Sequence, residues 1–105
     1  DYKSLRKMLF NSTEIISIWE KDCLIGFGRA TSDQIYRAIL WDIVVDKQYQ
    51  KSGLGEIIVK TILKNKLIIK AERVYIMTTN CTKFYSKMGF NIANDQTLMI
   101  LNNNI

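Results

Sequence analysis

Apolar positions along the chain switch between two periods, and the switches mark its elements. Leu5, Met8 and Leu9, with Phe10 beside them, recur at helical spacing, so residues 2–11 read as a short helix stopped by Asn11-Ser12. From Thr13 to Glu20 the pattern alternates, Ile16 and Ile18 against Ser17 and Trp19, and reads as a strand. Lys21-Asp22 turns the chain, and Cys23 to Ala30 reads as the second strand of a hairpin. Gly26 and Gly28 inside that strand predict a bulge or the close approach of another group. After a turn at Thr31 to Gln34, Ile35 to Val45 reads as a long strand whose end is nearly all apolar, which suits burial on both faces.

Gly53 to Lys66 predicts an amphipathic helix with Leu54, Ile57, Ile58, Ile62 and Leu63 on one face. Leu67 to Ala71 fits either a helix tail or a loop packed on the sheet. Arg73 to Thr78 reads as a buried strand, and Cys81 to Met88 as a short helix capped by Gly89. Phe90 to Ala93 and Gln96 to Leu101 read as a closing pair of strands, and Asn102 to Ile105 as a frayed end. The order gives an α/β chain around a mixed sheet. The crossover from Val45 through the helix to Val74 makes those two strands parallel.

A chain of 105 residues with 48% apolar content is one packed domain. No apolar run reaches the roughly 20 residues that span a bilayer, so no membrane partner is expected. The N-terminus carries no secretory h-region, and the two cysteines, Cys23 and Cys81, are far apart; both suit a reducing, non-secretory compartment. Histidine is absent. That removes a histidine base, a histidine-activated nucleophile and a histidine-ligated metal, and no metal is expected. The net charge of +5 suits an anionic partner. It is too dispersed for a basic nucleic-acid tail.

The chemistry concentrates at Gln50-Lys51-Ser52-Gly53-Leu54-Gly55, between the long strand and the long helix. A strand, a glycine loop and a helix start together offer backbone N–H groups and the positive end of a helix dipole to a phosphate. The loop is not a Walker A sequence, which needs GxxxxGK[ST]. It is not a dinucleotide fingerprint either, because Ile58 stands where the third glycine is needed. In the remaining Q-x-x-G-x-G pattern, Gly53 and Gly55 let the backbone approach a pyrophosphate, the amides of Lys51 to Glu56 can point at its oxygens, and Lys51 adds charge.

The string Val45-Asp46-x-x-Tyr49-Gln50-x-x-Gly53-x-Gly55 resembles the acetyl-CoA loop of the Gcn5-related N-acetyltransferase (GNAT) family. Downstream, Phe84-Tyr85-Ser86-Lys87-Met88-Gly89-Phe90 resembles that family's F-Y-x-x-x-G-F signature, and the likeness extends over residues 13–101. Leu24 to Asp33 and Leu40 to Asp46 are more particularly similar to chloroplast and cyanobacterial serotonin N-acetyltransferases and to plastid-encoded acetyltransferase-like proteins. The resemblance implies a GNAT-like, mainly antiparallel mixed sheet with a parallel pair at the cofactor loop and helices on both faces. It starts near the family's second helix, so the first strand and helix are expected to be missing.

Transfer of an acetyl group from acetyl-CoA to a primary amine, by direct attack in a ternary complex, is the activity so implied. The acceptor is an arylalkylamine, a protein lysine or a protein N-terminus, and the compartment is the plastid. Backbone groups of Ile43, Val44 and Val45 would pair with the pantetheine arm, and Gln50, Lys51, Ser52, Gly53, Leu54, Gly55 and Glu56 would hold the pyrophosphate. Tyr85 would be the acid that protonates the departing thiolate. Asp42, a carboxylate on a strand that reads as core, is either the base or amine anchor or a structural group bonded to a loop. The family often carries Asn three residues before the small residue that opens the second signature. Thr78 stands there, with Cys81 at the small position, and Asn80 is the neighbouring candidate for cofactor binding.

The other readings are a CoA-binding GNAT protein without turnover and a small basic nucleic-acid-binding module. An incomplete N-terminal edge would allow strand pairing in a homodimer. Arg29 and Asp33 either pair across a turn or line the substrate mouth.

Overall fold

The computed structural model describes residues 1–103; Asn104 and Ile105, part of the expected frayed end, lie outside the described residues. Asp1 caps the first helix, α1 (Tyr2–Phe10), by accepting from the amide of Ser4 at 2.9 Å. The alternating segments form β1 (Glu14–Glu20), β2 (Cys23–Ser32) and β3 (Arg37–Val45). A short 3-10 turn (Lys47–Tyr49) leads to α2 (Leu54–Lys64), α3 (Lys66–Ile69), β4 (Arg73–Ile76) and α4 (Thr82–Ser86).

The sheet order is β1-β2-β3-β4. The first two pairings are antiparallel and β3 pairs with β4 in parallel, as the crossover through α2 requires. Ile16 and Ile18 of β1 pack toward the core, whereas Ile15, Ser17 and Trp19 border a groove with Leu5, Met8 and Leu9 of α1. Successive side chains of a strand point to opposite faces, so α1 and α2 cover opposite sides of the sheet.

The core lies under α2. Ile58, Val59 and Ile62 are fully buried with Ala30, Ala38, Leu40 and Ile68. The helix sits this close because β2 presents glycine beneath it. A Cβ at Gly28 would stand 2.6 Å from Ile58 Cγ2 and 2.8 Å from Ile43 Cδ1, and one at Gly26 would stand 3.2 Å from Ile58 Cδ1. The bulge expected in this strand lies beside Gly26: Ile18 of β1 faces Gly26 while Trp19 faces Leu24, so Ile25 is an extra residue of β2.

Several boundaries differ from those the sequence predicts, each for a local reason. β3 begins at Arg37 because the Asp33 carboxylate accepts from the amides of Ile35, Tyr36 and Arg37 at 2.9, 2.7 and 3.0 Å, which folds the preceding residues into a turn. The long helix breaks at Asn65, whose side chain caps α3 through the Leu67 amide at 2.8 Å and donates to Glu14 at 2.9 Å. The ambiguous stretch after it is therefore helical, with Ile68 in the core. The two closing strands are not formed. Asp95 instead pairs with Arg73 at 3.1 Å and Gln96 with Tyr75 at 3.1 Å, so side chains rather than a backbone ladder hold this segment to β4. Among the described residues, no helix is long and apolar enough to cross a membrane.

Candidate functional site

The parallel pair β3–β4 separates partway along its length. Partners run from Arg37 opposite Arg73 to Leu40 opposite Ile76, after which β3 continues to Val45 with β2 alone beside it. The edge of residues 41–45 that faces away from β2 thus carries no ladder, and an extended ligand could bond there. A bulge marks the separation. Phe27 faces Val44 while Arg29 faces Trp41, so β3 holds one residue more than β2 over this stretch. Asp42 takes the strain with φ of 57°, a left-handed conformation that aspartate tolerates better than most residues.

The loop that follows is braced from within. Asp46 accepts from the amide of Gln48 at 2.9 Å, Gln50 Nε2 donates to the carbonyl of Val45 at 3.1 Å, and the Ser52 hydroxyl donates to the carbonyl of Tyr49. Lys51 and Gly53 both have positive φ, 66° and 87°. Residues of this hand curl neighbouring N–H groups into a concave, anion-accepting surface. Among the described residues, no acceptor meets the amides of Lys51, Ser52, Gly53, Leu54, Gly55 or Glu56; the first helix-type bond is from Ile57 to the carbonyl of Gly53 at 3.1 Å. Six consecutive partnerless amides at a helix start, with Lys51 among them, make a phosphate-accepting cradle.

Within this cradle the two glycines act differently. Gly53 is needed for its positive φ, with open space around it. Gly55 is needed for packing: a Cβ there would stand 3.2 Å from the ring of Phe84. That contact seats α4 against the start of α2. Gln50 and Ser52 spend their side chains on the loop's own carbonyls, so they shape the cradle.

Tyr85, next to Phe84, is 9% exposed and lies edge-on to the rings of Phe84 and Phe90, 5.0 and 5.9 Å between centroids. It borders a cleft of ≈ 370 Å³ beside β4 with Met77, Thr78 and Leu98. Burial pushes its phenol above the usual value, and the neighbouring Cys81 adds to the rise. At the head of α4, Thr78 Oγ1 accepts from the amide of Cys81 at 3.0 Å, and Cys81 Sγ donates to Asn80 Oδ1 at 3.3 Å. Thr78 thereby organises this turn. Cys81 is exposed.

Asp42 departs most from its expected setting. It is not in the core: its side chain is 54% exposed and bonded to Arg29, Nε to Oδ2, at 2.8 Å. The bulge turns it out of the strand's inward alternation and onto the α1 side, where it borders the groove with Leu5, Trp19 and Phe27. Arg29 accordingly pairs with Asp42 and not with Asp33, whose carboxylate is taken by turn amides. The β3 edge, the cradle and α4 form one continuous region; the backbone of Asp42 belongs to that edge, at its bulge, while its side chain lies on the α1 side. The partnership of Arg29 was not legible beforehand. Its signal is the pairing of two charged residues across a hairpin whose register only the bulge fixes.

A family model described as an acetyltransferase (GNAT) domain matches residues 11–92. The chain is 33% identical over 93 residues to an uncharacterized N-acetyltransferase, ycf52, of Pyropia yezoensis, an alignment covering 84% of this chain and 53% of that protein. It is 35% identical over 68 residues to the chloroplastic GCN5-related N-acetyltransferase 2 of Arabidopsis thaliana, covering 64% of this chain and 26% of that one. The chain thus spans about half the length of the ycf52 relatives it matches, 53% for that of Pyropia. Among solved structures, a GNAT-family acetyltransferase of Streptococcus pneumoniae superposes with a TM-score of 0.83 at 29% identity, covering 98% of this chain and 80% of that one.

Proposed function

Because the chain belongs to the GNAT acetyltransferase family, we propose that its 105 residues act as one N-acetyltransferase domain, moving an acetyl group from acetyl-CoA to a primary amine. The observation that carries this reading is the run of six partnerless amides, Lys51 to Glu56, continuing directly from the open edge of β3. An extended amide-bearing arm ending in a pyrophosphate fits that succession. The arm would bond to the backbone of Ile43, Val44 and Val45, and the pyrophosphate to the cradle amides and Lys51. Asn80, exposed at the head of α4, is within the same region and completes the proposed cosubstrate contacts.

In the proposed reaction a neutral amine attacks the thioester carbonyl carbon. The ammonium first loses a proton to solvent water to give that neutral amine; the new C–N bond then forms, the C–S bond breaks, the nitrogen gives its second proton to water, and the sulfur takes one from Tyr85, whose phenolate water reprotonates. Tyr85 supplies the proton to sulfur. Its raised phenol pKa keeps that proton in place through neutral pH. Asp42 receives the acceptor's ammonium group from the α1 side. Relatives named chloroplastic, and one named a histone acetyltransferase in Glycine max, support a plastid setting and keep protein lysine among the acceptors beside arylalkylamines and protein N-termini.

The test is thermal unfolding with and without acetyl-CoA, followed by thiol release with phenethylamine, putrescine and a lysine peptide. Stabilisation by acetyl-CoA with thiol release is the expected result. Stabilisation without release from any amine would leave a CoA-binding protein, and stabilisation by an oligonucleotide alone would leave a nucleic-acid module. Tyr85→Phe is expected to lower turnover on the order of 100-fold while keeping the acetyl-CoA response; unchanged turnover would remove Tyr85 from the acid role.

A further inference from the structure

Asp42 carries out an anchoring role only if its carboxylate is held still, and an exposed carboxylate on a bulge is not held by burial. Arg29 supplies what burial does not. It reaches across from β2 and donates Nε to Oδ2 of Asp42 at 2.8 Å. The arginine is itself fixed. Its side chain is 16% exposed, Nη1 lies 3.3 Å from Ser12 Oγ, and its guanidinium stands over the Trp41 ring at 5.7 Å. Trp41 is held in turn by its Nε1 donating to Thr31 at 2.9 Å, and Ser12 by its hydroxyl donating to the Met8 carbonyl of α1 at 2.9 Å.

The exposure of the pair therefore understates its order. A surface ion pair usually contributes little because two long side chains must be immobilised to form it. Here one partner is short and the other is already ordered by its contacts with Ser12 and Trp41, so a charge-assisted bond loses little entropy. One oxygen of Asp42 is used, and among the described residues the other has no hydrogen-bond partner. Among the described residues, Asp42 is also the one charged residue bordering the groove beneath α1, whose other walls include Leu5, Leu9, Trp19 and Phe27.

We propose that Arg29 is a positioning residue, which locks the Asp42 carboxylate at the β3 bulge so that its remaining oxygen receives the acceptor's ammonium group at the groove. This rests on the acetyl-transfer reading above. Arg29 touches neither reactant, and it acts only through Asp42.

The experiment compares wild type, Arg29→Met, Arg29→Lys, Asp42→Asn and the Arg29→Met/Asp42→Asn double variant. Thiol release gives KM for phenethylamine, putrescine and the lysine peptide, KM for acetyl-CoA, and kcat; thermal unfolding reports the fold. Arg29→Met is expected to raise the acceptor KM about tenfold, as loss of one charge-assisted bond would. The acetyl-CoA KM stays unchanged, Arg29→Lys recovers much of the loss, and the double variant is no worse than Asp42→Asn. A wild-type acceptor KM in Arg29→Met overturns the inference alone. So do equal rises in both KM values, or additive losses in the double variant. A wild type that acetylates no amine overturns the acetyl-transfer reading and this inference with it. Should Arg29→Met not fold, a folded Arg29→Gln, which removes the charge, decides: an acceptor KM raised as in Asp42→Asn with the acetyl-CoA KM unchanged supports the lock, and a wild-type acceptor KM overturns it.

Discussion

Gly53 and Gly55 are two residues apart and answer to different forces. Both stood out in the sequence as room for a ligand. Only Gly53 keeps that explanation, through its φ of 87° and the open space beside it. Replacing it by alanine creates no clash, so its cost is purely conformational. Gly53→Ala is expected to lower the unfolding free energy by about 1–2 kcal/mol, the penalty for a side chain in the left-handed region, read from urea melts. Gly55 owes its identity to the ring of Phe84, 29 residues away in the chain, a contact no local pattern reveals.

Tyr85 gives a residue-scale prediction with a pH sign. Its phenol is raised above the ordinary value near 10 chiefly by burial. The folded state therefore holds that proton more tightly than the unfolded chain does. Stability owed to this difference is complete below the unfolded pKa and is lost as pH rises through the folded one. Alkaline melts between about pH 9 and 12 should show wild type losing stability more steeply than Tyr85→Phe. Parallel curves would place the alkaline loss in other groups.

Elements were legible where one periodicity ran long enough and obscure where a side chain intercepted the backbone. The hairpin, the long strand, the amphipathic helix and the parallel crossover all follow from apolar spacing. Asp33 shortened β3 and Asn65 split the long helix, because a carboxylate or amide competed with the ladder for N–H groups. The closing segment carried a strand-like pattern, yet its attachment to β4 runs through Asp95 and Gln96 side chains. The docking of α2 on β2 was half legible: two glycines in a strand announced a close approach without saying by what. The structure supplies Ile58 and Ile43, both pressed against Gly28. A methyl group 2.6 Å from Ile58 must push the helix or the strand away. Gly28→Ala is accordingly expected to cost about 1–3 kcal/mol, as overpacking does. Its urea midpoint should fall with the slope unchanged. A neutral result would mean that α2 rides on the sheet more loosely than this geometry implies.

At the scale of the whole molecule the cradle, the open β3 edge and α4 are one mechanical unit. The separation of β3 from β4 leaves backbone groups unpaired along residues 41–45, and the cradle leaves six more amides without acceptors. The sequence announced the cradle through its glycines and its place between strand and helix. It could not announce the separation, which depends on a bulge set by strand register, nor the turning of Asp42 onto the far face. A ligand that fills both sets of groups binds only the folded chain, so it stabilises by mass action. At about 100 times its dissociation constant, acetyl-CoA should add about 2.7 kcal/mol to the unfolding free energy. The gain should be local in origin: amide exchange should slow first at Lys51 to Glu56 and along residues 41–45, and least in α1. Part of it should also be ionic. The chain carries a net charge of +5 and the cradle includes Lys51, so raising salt from about 0.05 to 0.5 M should weaken the response by screening. CoA without the acetyl group should protect the same amides, because the cradle contacts do not involve the thioester. Protection confined to α1 and the groove beneath it would instead relocate the binding site to the opposite face of the sheet.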